Sequence, residues 1–215
     1  MNVQNNKKII VIPFFLLSFF IFSCAPKPIT SNQIITAYST SSAQPWMGDL
    51  FACADEIPVS VKVTAEDPDI SLRIGEPGDL LTPAFQIDDE ELLIVTHRES
   101  VVQNLSLEEA QALFSGTSGL AVQVWVYPSE LDLQGLFDQF VMQGRSVTSS
   151  ARVAVNPQEM SDVLNNETNA VGILPRHWKA GSVREVYSVG KFPVLALTRE
   201  EPQGEIARLI ACLQK

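Results

Sequence analysis

From residue 34 onward, short β-branched runs take turns with stretches whose apolar residues recur at helical spacing. "IITAYS" (34–39), "VSVKVT" (59–64), "ISLRIG" (70–75), "ELLIVTH" (91–97), "AVQVWVY" (121–127), "ARVAV" (151–155), "AVGIL" (170–174), "REVYSV" (184–189) and "FPVLALT" (192–198) read as strands. Between them lie helical patterns. Residues 40–56 form a turn and a helix with Leu50, Cys53 and Ala54 together. Residues 106–116 carry a capping box, with Ser106 as N-cap, Glu109 three residues later and Gly116 as stop. In 130–144, Leu133, Leu136, Phe137 and Phe140 share one face; 156–166 is capped by Asn156 with Pro157 first; 202–214 closes the chain. Strands alternating with helices of this length predict an α/β fold with mostly parallel sheets.

The N-terminal segment has a different character. Lys7 and Lys8 lead a run, Ile9 to Phe22, that is apolar except for Pro13 and Ser18. It is shorter than the ~20 residues of a spanning helix. Basic lead and apolar middle match a secretory signal peptide over 1–23. "IFSC" at its end resembles a bacterial lipobox, which marks Cys24 for lipidation by acyl (palmitate-type) chains. The alternative is an uncleaved N-terminal anchor. Both readings place the domain outside the cytoplasm and tether it to the cell membrane. Residues 24–33, with two prolines and no periodicity, read as an extended tether.

Charge and cysteines narrow the function. The leader holds two lysines and no acid, so the formal charge of −10 becomes −12 without it. An acidic exported domain would repel nucleic acid, which is excluded as a partner. With Cys24 lipidated, Cys53 and Cys212 remain; they can pair or stay as separate buried thiols. His97 and His177 are isolated and read as surface or packing residues. No paired Cys or His spacing suggests a metal, and no cofactor is expected. No G-x-S-x-G and no Cys-His pairing is present, and the pairs Glu108–Glu109 and Glu200–Glu201 read as solvated, so no enzyme is expected.

Four segments, taken in order, resemble the phosphate-type substrate-binding proteins of ABC transporters. They are "LSLEEAQALFSG", "QIDDEELLIVTHRESVVQNLS", "NPQEMSDVLNNETNAVGILP" (with Ala170, Val171, Gly172 and Ile173 in the place of Ala-Ile-Gly-Tyr) and "FPVLALTREEPQGEIARLIACLQ". The resemblance covers residues 34–214. It implies the two-lobed type 2 periplasmic-binding-protein fold, with mixed sheets flanked by helices and a ligand cleft between lobes. Lobe one would hold 34–92 plus 190–215, and lobe two 93–189. It further implies a monomer that binds a small polar or anionic solute and passes it to an ABC permease. Cys53 and Cys212 would share lobe one, which favours a disulfide.

In such a cleft, helix N-termini, hydroxyls and an Arg hold an oxyanion. Ser39, Thr40 and Ser41 match the first ligand loop, and each is equally an N-cap. Arg73 is the candidate cation, or an ordinary exposed Arg. At the second loop, "VYPSELDLQGLF" (126–137), Tyr127 and Ser129 are the candidates. Here the pattern departs from phosphate binders, which have Arg followed by Gly-Ser-Gly-Thr. Glu130 and Asp132 occupy the first helical turn instead, where they use the helix dipole themselves and repel an anion. The expectation is therefore a solute receptor of the phosphate-like class with phosphate itself disfavoured. The alternative is a non-transport sensing or interaction module on the same fold.

Overall fold

A computed structural model of the chain describes residues 33–215. The leader and lipobox Cys24 lie outside the described residues, as does all of the expected tether except Gln33, which instead opens the first strand.

The strands are β1 (Gln33–Ser39), β2 (Val59–Val63), β3 (Ile70–Ile74), β4 (Ala84–His97), β5 (Gln123–Val126), β6 (Arg152–Val153), β7 (Ala170–Pro175) and β8 (Val183–Thr198). They form one sheet in the order β2-β1-β3-β8-β4-β7-β5-β6. Pairings at the two ends, β1 with β2 and β3, and β5 with β6 and β7, are parallel. Those of β3 with β8, β8 with β4, and β4 with β7 are antiparallel. The sheet is thus mixed, less parallel than the alternation suggests. The reason lies in β4 and β8, which run through its centre.

These two strands are longer than their apolar runs. β4 begins at Ala84, because the acidic residues Asp88 and Asp89 face solvent while the backbone still pairs with β8. The runs 184–189 and 192–198 are one strand, not two. Gly190, with φ 146°, accommodates an irregularity without ending the ladder. Leu92 pairs with Gly190 but Leu93 with Ser188, so Val189 is left over at mid-strand. Beyond that point β4 is buried on both faces, as a central strand should be.

The helices are α1 (Trp46–Glu56), α2 (Leu107–Phe114), α3 (Asp132–Phe137), α4 (Pro157–Asn166) and α5 (Gly204–Leu213). Ser106 and Glu109 form their capping box on α2, and Asn156 accepts from the Glu159 N–H at 2.9 Å at the head of α4. The segment after α3 departs from expectation. It loosens into a π turn over Asp138–Met142, where the Gln143 N–H reaches the Asp138 carbonyl at 2.8 Å. The extra residue turns Phe140 off the buried face of Leu133, Leu136 and Phe137, and it is exposed.

Cys53 of α1 and Cys212 of α5 are joined by a disulfide with Cα atoms 5.9 Å apart. A second tie fixes β3 beside β1. Asp69 accepts from the Thr36 N–H at 2.8 Å and the Thr36 hydroxyl at 2.7 Å, and it pairs with Arg199. Burial alone would raise the Asp69 carboxyl; Thr36 and Arg199 outweigh it and hold it below the usual range. A depressed folded-state value stabilises the fold above the unfolded value and is lost as pH falls through it. Asp69→Asn should therefore flatten the acid limb of stability below about pH 4. Urea midpoints between neutral and acid pH check this, and parallel acid limbs in both proteins would count against it.

Candidate functional site

The first strand ends at Ser39 and the chain turns through 40–45 before α1 begins. The N-cap position of α1 is Pro45, so the hydroxyls ahead of it are not used for capping. Two of them, Thr40 and Ser42, point to a carboxylate 92 and 90 residues further along the chain. Thr40 Oγ1 donates to Asp132 Oδ2 at 2.9 Å, and Ser42 Oγ donates to Asp132 Oδ1. The Ile74 N–H, at the end of β3, donates to Oδ2 at 2.9 Å, and the Leu133 N–H donates to Oδ1 at 2.9 Å. Each carboxylate oxygen thus receives two hydrogen bonds. A carboxylate has about four acceptor positions, and here they are filled.

The cage is largely buried, and its donors have further partners. Ser42 is 0% exposed and Asp132 is 8% exposed. The Ala43 N–H holds Thr40 Oγ1 at 3.3 Å, and the Thr40 N–H bonds the Leu72 carbonyl at 3.0 Å. Gly75 follows Ile74 with φ 74°, and a Cβ there would lie 2.8 Å from Leu136 Cδ2. Helix α3 therefore packs on bare backbone of the β3 end. The charge of Asp132 is felt at Tyr127, whose phenol burial, chiefly, and then this carboxylate push well above its ordinary value.

Contacts on either side join the same parts of the sheet. The Trp178 indole N–H reaches the Ser42 carbonyl at 3.3 Å, and the Trp46 and His177 rings lie 4.6 Å apart. His177 Nδ1 is 2.7 Å from Glu90 Oε2, while Glu90 Oε1 accepts from the Arg176 N–H at 2.9 Å. On the other flank Phe140 meets Phe192, with centroids 4.9 Å apart.

Of the candidate ligand residues singled out in the sequence, only Thr40 enters the cage, where it meets Asp132, the carboxylate expected to repel an anion. Ser39 and Ser41 make no side-chain hydrogen bond among the described residues; the second hydroxyl is Ser42. Arg73 is half-buried, makes no ion pair among the described residues, and its Nε is buried without a partner. Tyr127 is a core residue, 2% exposed, whose hydroxyl is committed to the Ile173 carbonyl at 2.8 Å. Ser129 is exposed and donates to Glu130 at 3.1 Å. His177 is exposed and packs against Trp46, as a surface or packing residue would, but its pairing with Glu90 escaped sequence reasoning because the two stand 87 residues apart with no local pattern.

No protein-family model matches the chain, and no curated protein matches it in sequence. Solved structures do match in shape. A protein described as a phosphate ABC transporter substrate-binding protein with bound phosphate, from Clostridium perfringens, superposes with a TM-score of 0.75 at 14% identity. The match covers 84% of this chain and 93% of that one. An ABC-type phosphate transport receptor from Vibrio cholerae gives 0.66 at 18% identity, over 84% and 93%. The CcmR regulatory domain of Synechocystis PCC6803, in complex with 2-PG, gives 0.63 at 13% identity, over 85% and 96%. Transport receptors and a regulatory domain thus share this topology, and the chain has the type 2 periplasmic-binding-protein fold.

Proposed function

We propose that the chain is a lipid-anchored, extracytoplasmic binding-protein-fold module that senses or scaffolds at the cell surface without carrying free phosphate. The observation that supports this reading is the filled cage: Thr40, Ser42, Ile74 and Leu133 spend their donors on Asp132. The expected Arg is missing from it, and a second negative group would meet the Asp132 charge. In this reading the lobes are 34–92 plus 190–215 and 93–189, as the resemblance to binding proteins implies. The basic lead, apolar run and "IFSC" support attachment through Cys24.

The alternative is a receptor that hands a small polar or anionic solute to an ABC permease. The specific support is the likeness in shape to two phosphate transport proteins over 93% of each.

Calorimetry with inorganic phosphate on residues 31–215 tests the proposal, with no saturable heat expected at millimolar phosphate. Saturable binding would restore the transport reading. In whole cells, labelled fatty acid should appear on the wild type and not on Cys24→Ala; an unlabelled wild type would remove the lipid anchor.

A further inference from the structure

The geometry points to Asp132 as a built-in ligand: its carboxylate stands where a free oxyanion would, and it alone excludes small oxyanions from the cage. This rests on the reading above. Three of the four donors come from outside helix α3. Thr40 and Ser42 belong to the turn after β1, and Ile74 to the end of β3. Only the Leu133 N–H is local to Asp132. Two of the outside donors are held without help from the carboxylate, and Ser42 Oγ lies 2.9 Å from the first of them, Thr40 Oγ1. Thr40 is pinned by Ala43 and Leu72, and Ile74 is paired with Val194 of β8. Removing the Asp132 side chain therefore leaves the donor set in place around a space the size of a carboxylate. No cation takes part among the described residues, so the site suits small monoanions held by neutral hydrogen bonds, formate and acetate above all.

Size makes the idea testable. Acetate reproduces the Cβ and carboxyl of Asp132, and formate the carboxyl alone. In Asp132→Gly both fit and acetate fills the space better. In Asp132→Ala the new methyl occupies the Cβ position, so formate fits and acetate does not. Melting curves of wild type, Asp132→Gly and Asp132→Ala are recorded in formate, acetate, acetamide and chloride at matched ionic strength.

At tenfold excess over its dissociation constant, the fitting anion should raise the variant's melting temperature by about 3–6 °C. Acetate should lead in the Gly variant and formate in the Ala variant. Acetamide and chloride should do nothing, and the wild type should stay flat in all four. A response no larger than that to chloride would overturn the proposal, and so would a saturable acetate response in the wild type. If a variant is unfolded in plain buffer, refolding from urea reads the same point: recovery only in the fitting anion supports the proposal, and no recovery in any anion overturns it. Failure here with a wild type that still ignores phosphate leaves the functional reading standing. Phosphate binding by the wild type overturns that reading itself.

Discussion

Replacing Cys53 and Cys212 by serine should lower the stability of the folded domain by about 3–5 kcal/mol. The bridge joins residues 159 apart, so it closes almost the whole folded chain into one loop. On the chain-entropy account a loop of that length restricts the unfolded ensemble by ~5 kcal/mol, near the upper end of what a disulfide contributes. The folded state loses little in exchange, because α1 and α5 lie against each other and each buries apolar residues besides its cysteine, Trp46 and Leu50 in one and Leu209 and Ile210 in the other. Urea unfolding of the oxidised protein and the double serine variant measures the difference. A lower midpoint with a somewhat steeper slope is the expected form, since the unfolded chain without the bridge is less compact and exposes more surface. Coincident curves would show that the bridge contributes nothing.

The second large effect is expected at Gly75. Valine there meets two obstacles at once. Its φ of 74° lies in the left-handed region, which costs a β-branched residue ~1–2 kcal/mol or more. The new Cβ would also fall within 2.8 Å of Leu136. Overpacking of this kind costs ~1–3 kcal/mol. Together, Gly75→Val should destabilise by about 2–5 kcal/mol. Leu136→Ala added to it should relieve the steric part and leave the backbone part, so the double variant should be more stable than the sum of the two single changes. Additive losses would mean that α3 does not rest on the end of β3. Because this contact sits beside the Asp132 cage, hydrogen exchange of the Ile74 and Leu133 amides should quicken in Gly75→Val.

The succession of strands and helices was readable because it is local. Alternation in β2, the capping box of Ser106 and Glu109, and the Asn156–Pro157 start all act within a few residues. The long central strands were less so. Gly190 looks like punctuation between two runs, and 84–90 looks too acidic for a strand; only pairing with distant partners makes each continuous. The site shows the same division. Thr40 was found because hydroxyls follow a strand and precede a helix. Asp132 was seen at a helix mouth, but its partners Thr40 and Ser42 stand 92 and 90 residues away, and nothing nearby announces them. Ser42 was passed over for Ser39 and Ser41, which are nearer the strand. The backbone N–H of Ile74 has no side-chain signature at all. Tyr127 shows the opposite error, a polar tip that suggested a cleft and proved to bond inside the core.

The position of Asp132 at the first turn of α3 has a consequence best put in terms of concentration. Its carboxylate is carried to the four donors by a helix that is itself packed against them, with only its own side-chain torsions left to fix. Groups held so closely behave as though present at effective concentrations far above molar, up to ~10⁵ M or more where alignment is good. A dissolved anion at millimolar levels competes at a disadvantage of many powers of ten. The cage should therefore report nothing about the anions in the surrounding medium, and the domain should present one shape to its neighbours in phosphate-rich and phosphate-poor surroundings alike.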